Sequence, residues 1–242
     1  MKVPIYIKWF PPSWFQIKSG RHIIYIDPAY LKTHFTHYPK KIEYSQWPDP
    51  IDGLPEELEQ GDIILITHHH KDHCKKVTVD RLKSDKTTIL ATRYCKKELG
   101  KAITVVRPGM EICIGNIKIK TVDAYNKKQV GKKKRMHKKG SGVGYVISVE
   151  GKTIYHAGDT DLIPAMEHIG KVDLALLPIG GRDFTMDFHD AVQAAIIINP
   201  KVIIPMHRFG TDPVEYKGFV EQESSIKVEP LGIGETYQLI GT

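Results

Sequence analysis

One feature constrains the fold and function of this chain most strongly. It is a short apolar segment followed directly by a histidine-rich one. Residues 62–66, DIILI, are rich in Ile and Leu, which is typical of a β-strand covered on both faces. Thr67 ends the run. Within the next six residues, His68, His70, Asp72 and His73 follow the spacing H-x-H-x-D-H, with an extra histidine, His69, inside it.

These side chains need a partner, because each imidazole buried without one costs free energy. A divalent metal ion supplies that partner, since imidazole nitrogen and carboxylate oxygen are ligands of Zn, Mn and Fe. His68 and His70 are two apart in an extended segment and point the same way, while a turn at Lys71 lets Asp72 and His73 face a second ion. The motif therefore predicts a metal site at a strand end, with a solvated histidine-rich loop as the alternative.

This motif, placed directly after a buried strand, resembles the hallmark of the metallo-β-lactamase superfamily. Within it, the chain looks most like the small metal-dependent hydrolases related to L-ascorbate 6-phosphate lactonase. The resemblance covers nearly all of the chain. It implies an α+β fold, a four-layer αββα sandwich with helices on both outer faces, as one domain over residues 1–242.

The resemblance also implies ligands at the ends of later strands. Asp159, in H-A-G-D, matches the carboxylate that bridges two ions, and Gly158 lets the backbone pass close to the metals. The alternative for Asp159 is an N-cap of a helix near Leu162. His207, in V-I-I-P-M-H, matches the last ligand of the second ion, with a core histidine that has found its hydrogen-bond partners as the alternative.

The third ligand of the first ion is missing from the position that the resemblance implies. Relatives commonly place a histidine just after a strand that ends in Ala, where this chain has Ala124, Tyr125 and Asn126. We assign the role to His137, because it is the only histidine between His73 and His156. Asn126 remains open as a weaker ligand or as a supporting group.

Together these matches predict a hydrolase with two ions. The expected ligands are His68, His70 and His137 for the first ion, Asp72, His73 and His207 for the second, and Asp159 between them. Two ions about 3.5 to 4 Å apart share a water, lower its pKa and stabilise charge on the attacked group. Asp72 would orient the resulting hydroxide and take its proton in the second half of the reaction. Zn is the first expectation, with Mn or Fe as alternatives.

The charge distribution suggests the substrate. The chain has a formal charge of +7, yet residues 127–139 alone contribute eight basic side chains and no acid. A basic rim beside His137 would attract a small anionic molecule, such as a phosphoester or a phosphorylated lactone. RNA or DNA is the alternative partner, and a solvated loop without a partner is the third. The eight are Lys127, Lys128, Lys132, Lys133, Lys134, Arg135, Lys138 and Lys139.

Several other groups are candidates near the site. Asp27, in I-x-I-D-P, resembles an early aspartate delivered to the metals, although Pro11, Pro12 and Ser13 replace the Gly-His often found before it. Residues 29–53 are rich in proline and aromatic side chains, which favours a wall of the cleft or a surface loop. Arg182 would anchor an anionic substrate or form a structural salt bridge. The histidines that we consider as supporting or proton-transfer groups are His69, His156 and His189.

Composition sets the broad class. The hydrophobic fraction of 41% and charged fraction of 26% are ordinary for a globular protein, and no apolar run has the length of a membrane span. The three cysteines, an odd number, fit reduced thiols in the cytoplasm, and Cys74 is either a buried apolar side chain or a soft ligand. A homo-oligomer and a non-catalytic metal-binding protein remain alternatives that the sequence leaves open.

The remaining pattern predicts short alternating elements. We expect strands over 3–9, 14–18, 22–27, 87–91, 103–107, 111–114, 117–124, 143–150, 153–156, 172–177 and 202–205. We expect helices over 77–83, 93–99 and 187–198, the last capped by Asp187.

Overall fold

Two seven-stranded sheets form the frame of the protein in the computed structural model, which describes residues 3–29, 58–127, 136–181 and 183–239. In spatial order, the first sheet contains β14 (Thr236–Leu239), β1 (Ile5–Phe10), β2 (Trp14–Ser19), β3 (His22–Ile26), β4 (Gly61–Ile66), β5 (Lys83–Thr92) and β6 (Thr104–Val106). The second contains β13 (Lys227–Val228), β12 (Val202–Met206), β11 (Leu174–Pro178), β10 (Lys152–His156), β9 (Gly142–Val149), β8 (Ile117–Ala124) and β7 (Glu111–Ile114).

Two of the helices begin where the sequence supplies a side-chain cap. The side chain of Asp187 accepts a hydrogen bond from the backbone N–H of Asp190, and that of Asp212 accepts one from Val214, which satisfies N–H groups that a helix start leaves unpaired. None of the helices in the described ranges is long and apolar enough to span a bilayer. They are α1 (Lys76–Leu82), α2 (Lys96–Leu99), α3 (Phe188–Ile198) and α4 (Pro213–Glu223).

Strand β4 buries both of its faces, as its composition predicts. Ile63 and Leu65 point into the core between the two sheets. Ile64 and Ile66 point the other way and pack in a cluster with Val79 of α1. Because alternate residues of a strand face opposite sides, this one segment joins two separate cores and holds its C-terminal end in a fixed position.

The second sheet is covered in the same way on its outer face. Side chains of α3 and α4, including Ala195 and Tyr216, pack with Tyr155 of β10 and Leu177 of β11. The layers are therefore helix, sheet, sheet and helix. The predicted α+β class with a four-layer αββα sandwich is confirmed.

The predicted elements are close to those observed up to β12, and the C-terminal part was missed. Strand β5 begins at Lys83 instead of residue 87, and the predicted helix over 93–99 consists of a 3₁₀ turn, Arg93–Cys95, followed by the short α2. We predicted none of α4, β13 and β14 from the sequence, although Asp212 and Pro213 are a helix-start signal for α4. Strand β14 is nevertheless the edge of the first sheet, where Leu239 pairs with Ile5.

Strand direction brings one end of the sandwich together. Strands β3, β4 and β5 run parallel to one another, as do β10, β11 and β12. Strand β8 runs the same way as β10, because both are antiparallel to β9. The loops that follow these strands carry every metal ligand that the sequence predicts.

Candidate metal centre

Three imidazole nitrogens converge at the end of β4. His68 Nε2 lies 3.1 Å from His70 Nδ1 and 3.2 Å from His137 Nε2, and the His137 and His70 atoms are 3.0 Å apart. His68 and His137 are each only 2% exposed. Three ring nitrogens cannot satisfy one another by hydrogen bonds in such a triangle, because a neutral imidazole has only one N–H. A cation at the centre would satisfy all three lone pairs.

These three imidazoles are held in the neutral form. Burial lowers the pKa of His68 well below its ordinary value and that of His137 to about 4, and it also lowers the pKa of His70. Removal from water disfavours the charged ring. Their lone pairs are therefore available to a metal at neutral pH.

A second group of ligand atoms lies beside the first. Asp72 Oδ2 is 3.6 Å from His207 Nε2 and 3.9 Å from His73 Nε2. Burial alone would raise the pKa of Asp72, but the nearby His73 and His207 imidazoles outweigh it and lower that pKa to about 2. Burial alone would lower the pKa of His207, and the Asp159 carboxylate instead raises it to about 10. In the metal-free protein, protons on His73 and His207 therefore balance the carboxylates, and a divalent cation would take the place of those protons.

Asp159 faces both groups with different oxygens. Its Oδ2 lies 3.4 Å from His137 Nε2 and 3.8 Å from His68 Nε2. Its Oδ1 lies 3.3 Å from His73 Nε2 and 3.3 Å from His207 Nε2. Asp159 does not cap a helix, since the next helical turn, Pro164–His168, begins after Ile163 with no side-chain cap.

The two groups fit metal ions by their unsatisfied atoms and by their spacing. His73 Nε2, Asp159 Oδ1 and His207 Nε2 are buried and make no hydrogen bond among the described residues, which is unusual for buried polar atoms. Donor atoms about 2.0 to 2.1 Å from a tetrahedral ion lie roughly 3.3 Å from one another. Each group keeps its ligand atoms within 4.8 Å of one another, and the two sets are His68, His70, His137 and Asp159, and Asp72, His73 and His207.

Asp27 orients two of these histidines from behind. Its Oδ2 lies 2.7 Å from His73 Nδ1 and accepts the Thr67 hydroxyl at 2.7 Å, while its Oδ1 accepts the Thr67 N–H at 2.7 Å. Because the Thr67 hydroxyl gives its hydrogen to Asp27, it can only accept from His68 Nδ1, 3.0 Å away. Both rings then direct Nε2 toward the centre. The sequence predicted Asp27 near the metals, but the part of Thr67 was missed.

His207 is positioned by the turn at Pro11, Pro12 and Ser13, where the resemblance implied Gly-His. Its backbone N–H donates to the carbonyl of Pro12 at 2.9 Å, and Ser13 contributes its carbonyl to His156 Nε2 at 3.2 Å. The turn therefore supports the centre through backbone carbonyls. The backbone of His207 also packs closely against Gly180, because a Cβ on Gly180 would stand 2.2 Å from the His207 carbonyl oxygen.

The structure also shows the surroundings of His156, Gly158 and His189. His156 is fully buried and uses both ring nitrogens, since the Gly158 N–H donates to its Nδ1 at 3.1 Å, so it is a structural group. Gly158, at φ +65, makes room for Thr67 and the Val143 carbonyl, not directly for a metal. His189 is exposed on α3 and packs against Phe188.

The remaining candidates from the sequence are His69, Cys74, Arg182, the basic run and the predicted cleft wall. His69 is exposed, with its ring 4.9 Å from that of His70. Cys74 is buried in the apolar cluster under α1, where the neighbouring Cys95 thiol and burial raise its pKa, so it is a poor thiolate ligand. Arg182, residues 128–135 of the basic run and residues 30–53 of the predicted cleft wall lie outside the described residues.

Two features of the centre were missed by sequence reasoning. Asp161 is 5% exposed and accepts from the Asn126 side chain at 2.8 Å; its position in H-A-G-D-T-D was the available signal. The rings of Phe209 and His207 lie 4.3 Å apart, and Phe184 lies 5.6 Å from Phe209. These half-buried rings form an apolar side of the second group of ligands.

The chain is similar to known proteins over most of its length. The family model of the beta-lactamase superfamily domain matches residues 6–207. A UPF0173 metal-dependent hydrolase of Pelotomaculum thermopropionicum is 34% identical over 204 residues, which cover 79% of this chain and 88% of that protein.

Solved structures share the fold over almost the whole chain. A Parabacteroides distasonis protein described as a metal-dependent hydrolase has a TM-score of 0.76 at 29% identity. The match covers 95% of this chain and 93% of the P. distasonis chain. The metallo hydrolase Igni18 of Ignicoccus hospitalis has a TM-score of 0.73 at 24% identity, over 99% of this chain and 100% of its own.

Proposed function

The chain belongs to the metallo-β-lactamase superfamily of metal-dependent hydrolases, and on that premise we propose that it is a binuclear hydrolase of small anionic, phosphorylated esters or lactones. The observation that carries the binuclear part is the placement of Asp159. One of its oxygens lies 3.4 Å from His137 Nε2 and the other 3.3 Å from His207 Nε2. A carboxylate placed in this way would serve both ions of a single centre.

The ligand assignment follows the two groups of donor atoms. His68, His70 and His137 would hold the first ion, Asp72, His73 and His207 the second, and Asp159 would belong to both. Bound divalent ions supply an acidified water and positive charge for the group under attack. Zinc is the ion we propose, because imidazole and carboxylate donors at tetrahedral spacing suit it, and the same donors also accept Mn or Fe.

Asp72 is the group we propose for orienting the attacking water. Its side chain is 20% exposed, whereas that of Asp159 is 3% exposed, so Asp72 is the more accessible of these two carboxylates. With a pKa of about 2 it stays ionised at neutral pH and can only accept a hydrogen bond. An oriented O–H keeps the oxygen lone pair directed at the substrate, and Asp72 is also the group we propose to take up the proton that is then released.

An anionic substrate is supported by the charge around His137. Lys138 and Lys139 follow it directly, Lys127 precedes the segment that leads to it, and all three are exposed. Lys139 Nζ lies 3.6 Å from Asp123 Oδ2, which fixes one of these charges near the end of β8. Such a cluster raises the local concentration of phosphate-bearing molecules. We propose a phosphorylated lactone or ester of the kind that the ascorbate 6-phosphate lactonase resemblance implies.

A nucleic acid is the second candidate substrate, and one observation favours it. Eight basic residues lie within residues 127–139, which is a dense run for a small-molecule site and typical of phosphate-backbone contacts. A backbone-binding run would give affinity for RNA that falls steeply with salt. A small-molecule site would give no retention of RNA at physiological ionic strength.

The non-catalytic alternative has lost its main support. It depended on the missing histidine near residue 126, and His137 brings its Nε2 to within 3.2 Å of His68 Nε2. The relative in P. thermopropionicum is likewise named a hydrolase. We also propose a cytoplasmic location, because Cys74, Cys95 and Cys113 are free thiols, as expected in a reducing compartment.

Matched substrate pairs test the proposed function. The enzyme, loaded with Zn, Mn or Fe, is assayed on lactones and esters with and without a phosphate group, and on a phosphodiester and single-stranded RNA. We expect a higher kcat/KM for the phosphorylated member of each pair. Lys127, Lys138 and Lys139 changed together to Gln should reduce that preference, whereas the control Lys86, Lys217 and Lys227 changed to Gln should retain it. Equal rates on both members of every pair would contradict the anionic substrate.

A further inference from the structure

The side chain of Asn126 lies directly behind His137. Its Oδ1 accepts the His137 backbone N–H at 2.9 Å and lies 2.9 Å from His137 Nδ1. The backbone N–H of Asn126 in turn donates to the His137 carbonyl at 2.9 Å. Asn126 is 4% exposed. Two residues that are eleven apart in sequence are thus paired face to face under the first group of ligands.

The other end of the same amide contacts two groups that can only accept. Asn126 Nδ2 donates to Asp161 Oδ1 at 2.8 Å and to the Phe184 carbonyl at 2.9 Å. A carboxylate and a backbone carbonyl have no hydrogen to give. The NH₂ group must therefore point toward Asp161, because a flipped amide would place an oxygen against two oxygens.

Asp161 is itself fixed in place. Its Oδ2 accepts the Lys127 N–H at 2.8 Å, and its own N–H donates to the Tyr125 carbonyl at 3.0 Å. With one oxygen on Lys127 and the other on Asn126, the carboxylate cannot turn without losing a hydrogen bond in a buried place. The orientation of the Asn126 amide is thus set from outside the metal centre.

The orientation of the Asn126 amide determines which ring nitrogen of His137 carries the hydrogen. Because Asn126 Oδ1 is an acceptor, His137 Nδ1 must carry the hydrogen. Nε2 then presents a lone pair to the point where His68 Nε2 and His70 Nδ1 converge, at 3.2 and 3.0 Å. The opposite tautomer would put an N–H into that space and exclude a metal ion.

We propose that Asn126 and Asp161 are a positioning pair that selects the Nδ1–H tautomer of His137 and so prepares its Nε2 as a ligand. The ligand role rests on the proposed metal centre, whereas the tautomer does not. This pair acts on the displaced histidine alone, since His73 is oriented by Asp27 and His68 by Thr67.

The tautomer can be read directly by NMR of the metal-free protein labelled with ¹⁵N-histidine. The ring signals of His137 are identified as those that disappear in His137→Gln. In the wild-type protein we expect a protonated Nδ1 and an unprotonated Nε2. An unprotonated Nδ1 would overturn the proposal without any variant being needed.

Two variants test whether Asp161, through Asn126, sets the tautomer of His137. The first changes Asp161 alone, and the second exchanges the two side chains. In Asp161→Asn, the Lys127 N–H holds the new amide oxygen, so its NH₂ meets that of Asn126 and favours a flipped Asn126. His137 should then shift toward the Nε2–H form, and the affinity of the first ion should fall roughly ten- to hundredfold. In the double variant Asn126→Asp with Asp161→Asn, an acceptor oxygen again faces His137, now from a carboxylate, and the Nδ1–H form should return.

A matched control separates this effect from general loss of structure. Asp173 is also buried, and its Oδ2 accepts the Thr153 N–H at 2.9 Å just before β11, at the other end of the strand from the metal centre. Asp173→Asn should leave the His137 tautomer unchanged. A wild-type tautomer in Asp161→Asn, or no recovery in the double variant, would overturn the proposal. Because no metal or substrate is present, this result is independent of whether the protein is a hydrolase.

Discussion

His73 donates from Nδ1 to Asp27 across 2.7 Å, and both side chains are completely buried. Burial alone would lower the pKa of His73, but Asp159, Asp27 and Asp72 together raise it well above its ordinary value. Asp27 therefore holds the His73 ring in place within the second group of ligands. It also accepts both donors of Thr67, so it links the ends of β3 and β4.

The first prediction concerns this pair. Asp27→Asn keeps the shape of the side chain but removes the charge and replaces one acceptor with an NH₂ group. The buried Thr67 donors and His73 Nδ1 cannot then all be satisfied. We expect the affinity of the second ion to fall roughly ten- to hundredfold. Competition with a metal-binding dye measures this, and Asp62→Asn, an exposed carboxylate on β4, is the control. Wild-type affinity in Asp27→Asn would show that Asp27 does not orient His73.

The second prediction concerns the displaced histidine. His137→Ala removes one corner of the triangle formed with His68 and His70, so we expect the protein to retain one ion per chain instead of two. Its activity should fall with that ion, because both ions contribute to catalysis in a binuclear centre. His168→Ala changes an exposed histidine and should retain both ions. Unchanged metal content in His137→Ala would refute the assignment.

The third prediction concerns pH. In the metal-free protein the pKa of His207 is raised to about 10 and that of His73 is also raised. Both rings are therefore protonated on both nitrogens and positively charged at pH 7. A metal needs their neutral form, and binding to the second group must therefore release about two protons. His68 and His137, with lowered pKa values, should release none.

The sign of the pH dependence follows from these shifts. Affinity of the second ion should rise with pH from neutrality toward pH 10, by up to about a hundredfold per pH unit for two protons. The first ion should show little dependence between pH 6 and 8. Calorimetric titration in two buffers with different enthalpies of ionisation measures the protons released. Equal release at both sites would contradict the raised pKa values.

The fourth prediction concerns the backbone contact beside His207. In Gly180→Ala, a Cβ would stand 2.2 Å from the His207 carbonyl oxygen and 2.7 Å from the Arg208 carbonyl carbon. Backbone must move to relieve this overlap, so we expect unfolding free energy to fall by about 1 to 3 kcal/mol and the second ion to bind more weakly. Gly218→Ala has no atom within 4 Å of its new Cβ and lies in α4, where Ala is expected to be neutral or stabilising. Denaturant unfolding of both metal-free variants gives the comparison.

Much of the site could be predicted from sequence because its ligands follow recognisable strands. Residues 62–66 predicted β4 by composition alone, and its end places His68 and the motif. His137 was harder, because it follows a long segment after β8 and no local pattern connects it with Asn126. Only the tertiary contact, with hydrogen bonds over a separation of eleven residues, brings them together.

The missed elements have a common physical cause. Residues 236–239 read TYQL, a run too short and polar to predict a strand, and β14 forms because it pairs with β1 at the other end of the chain. Helix α4 buries only Tyr216 and Val220, so its apolar periodicity is weak. Asp161 was passed over because its role depends on Asn126 and Lys127, which are distant in sequence.

The number of metal ions bound to the intact chain tests the central claim most directly. Native mass spectrometry of the protein, purified without chelator and titrated with Zn, resolves each added ion. The shared position of Asp159 between the two groups predicts two ions per chain at saturation, and no more than one in His137→Ala. A wild-type chain that saturates at one ion would contradict the binuclear centre.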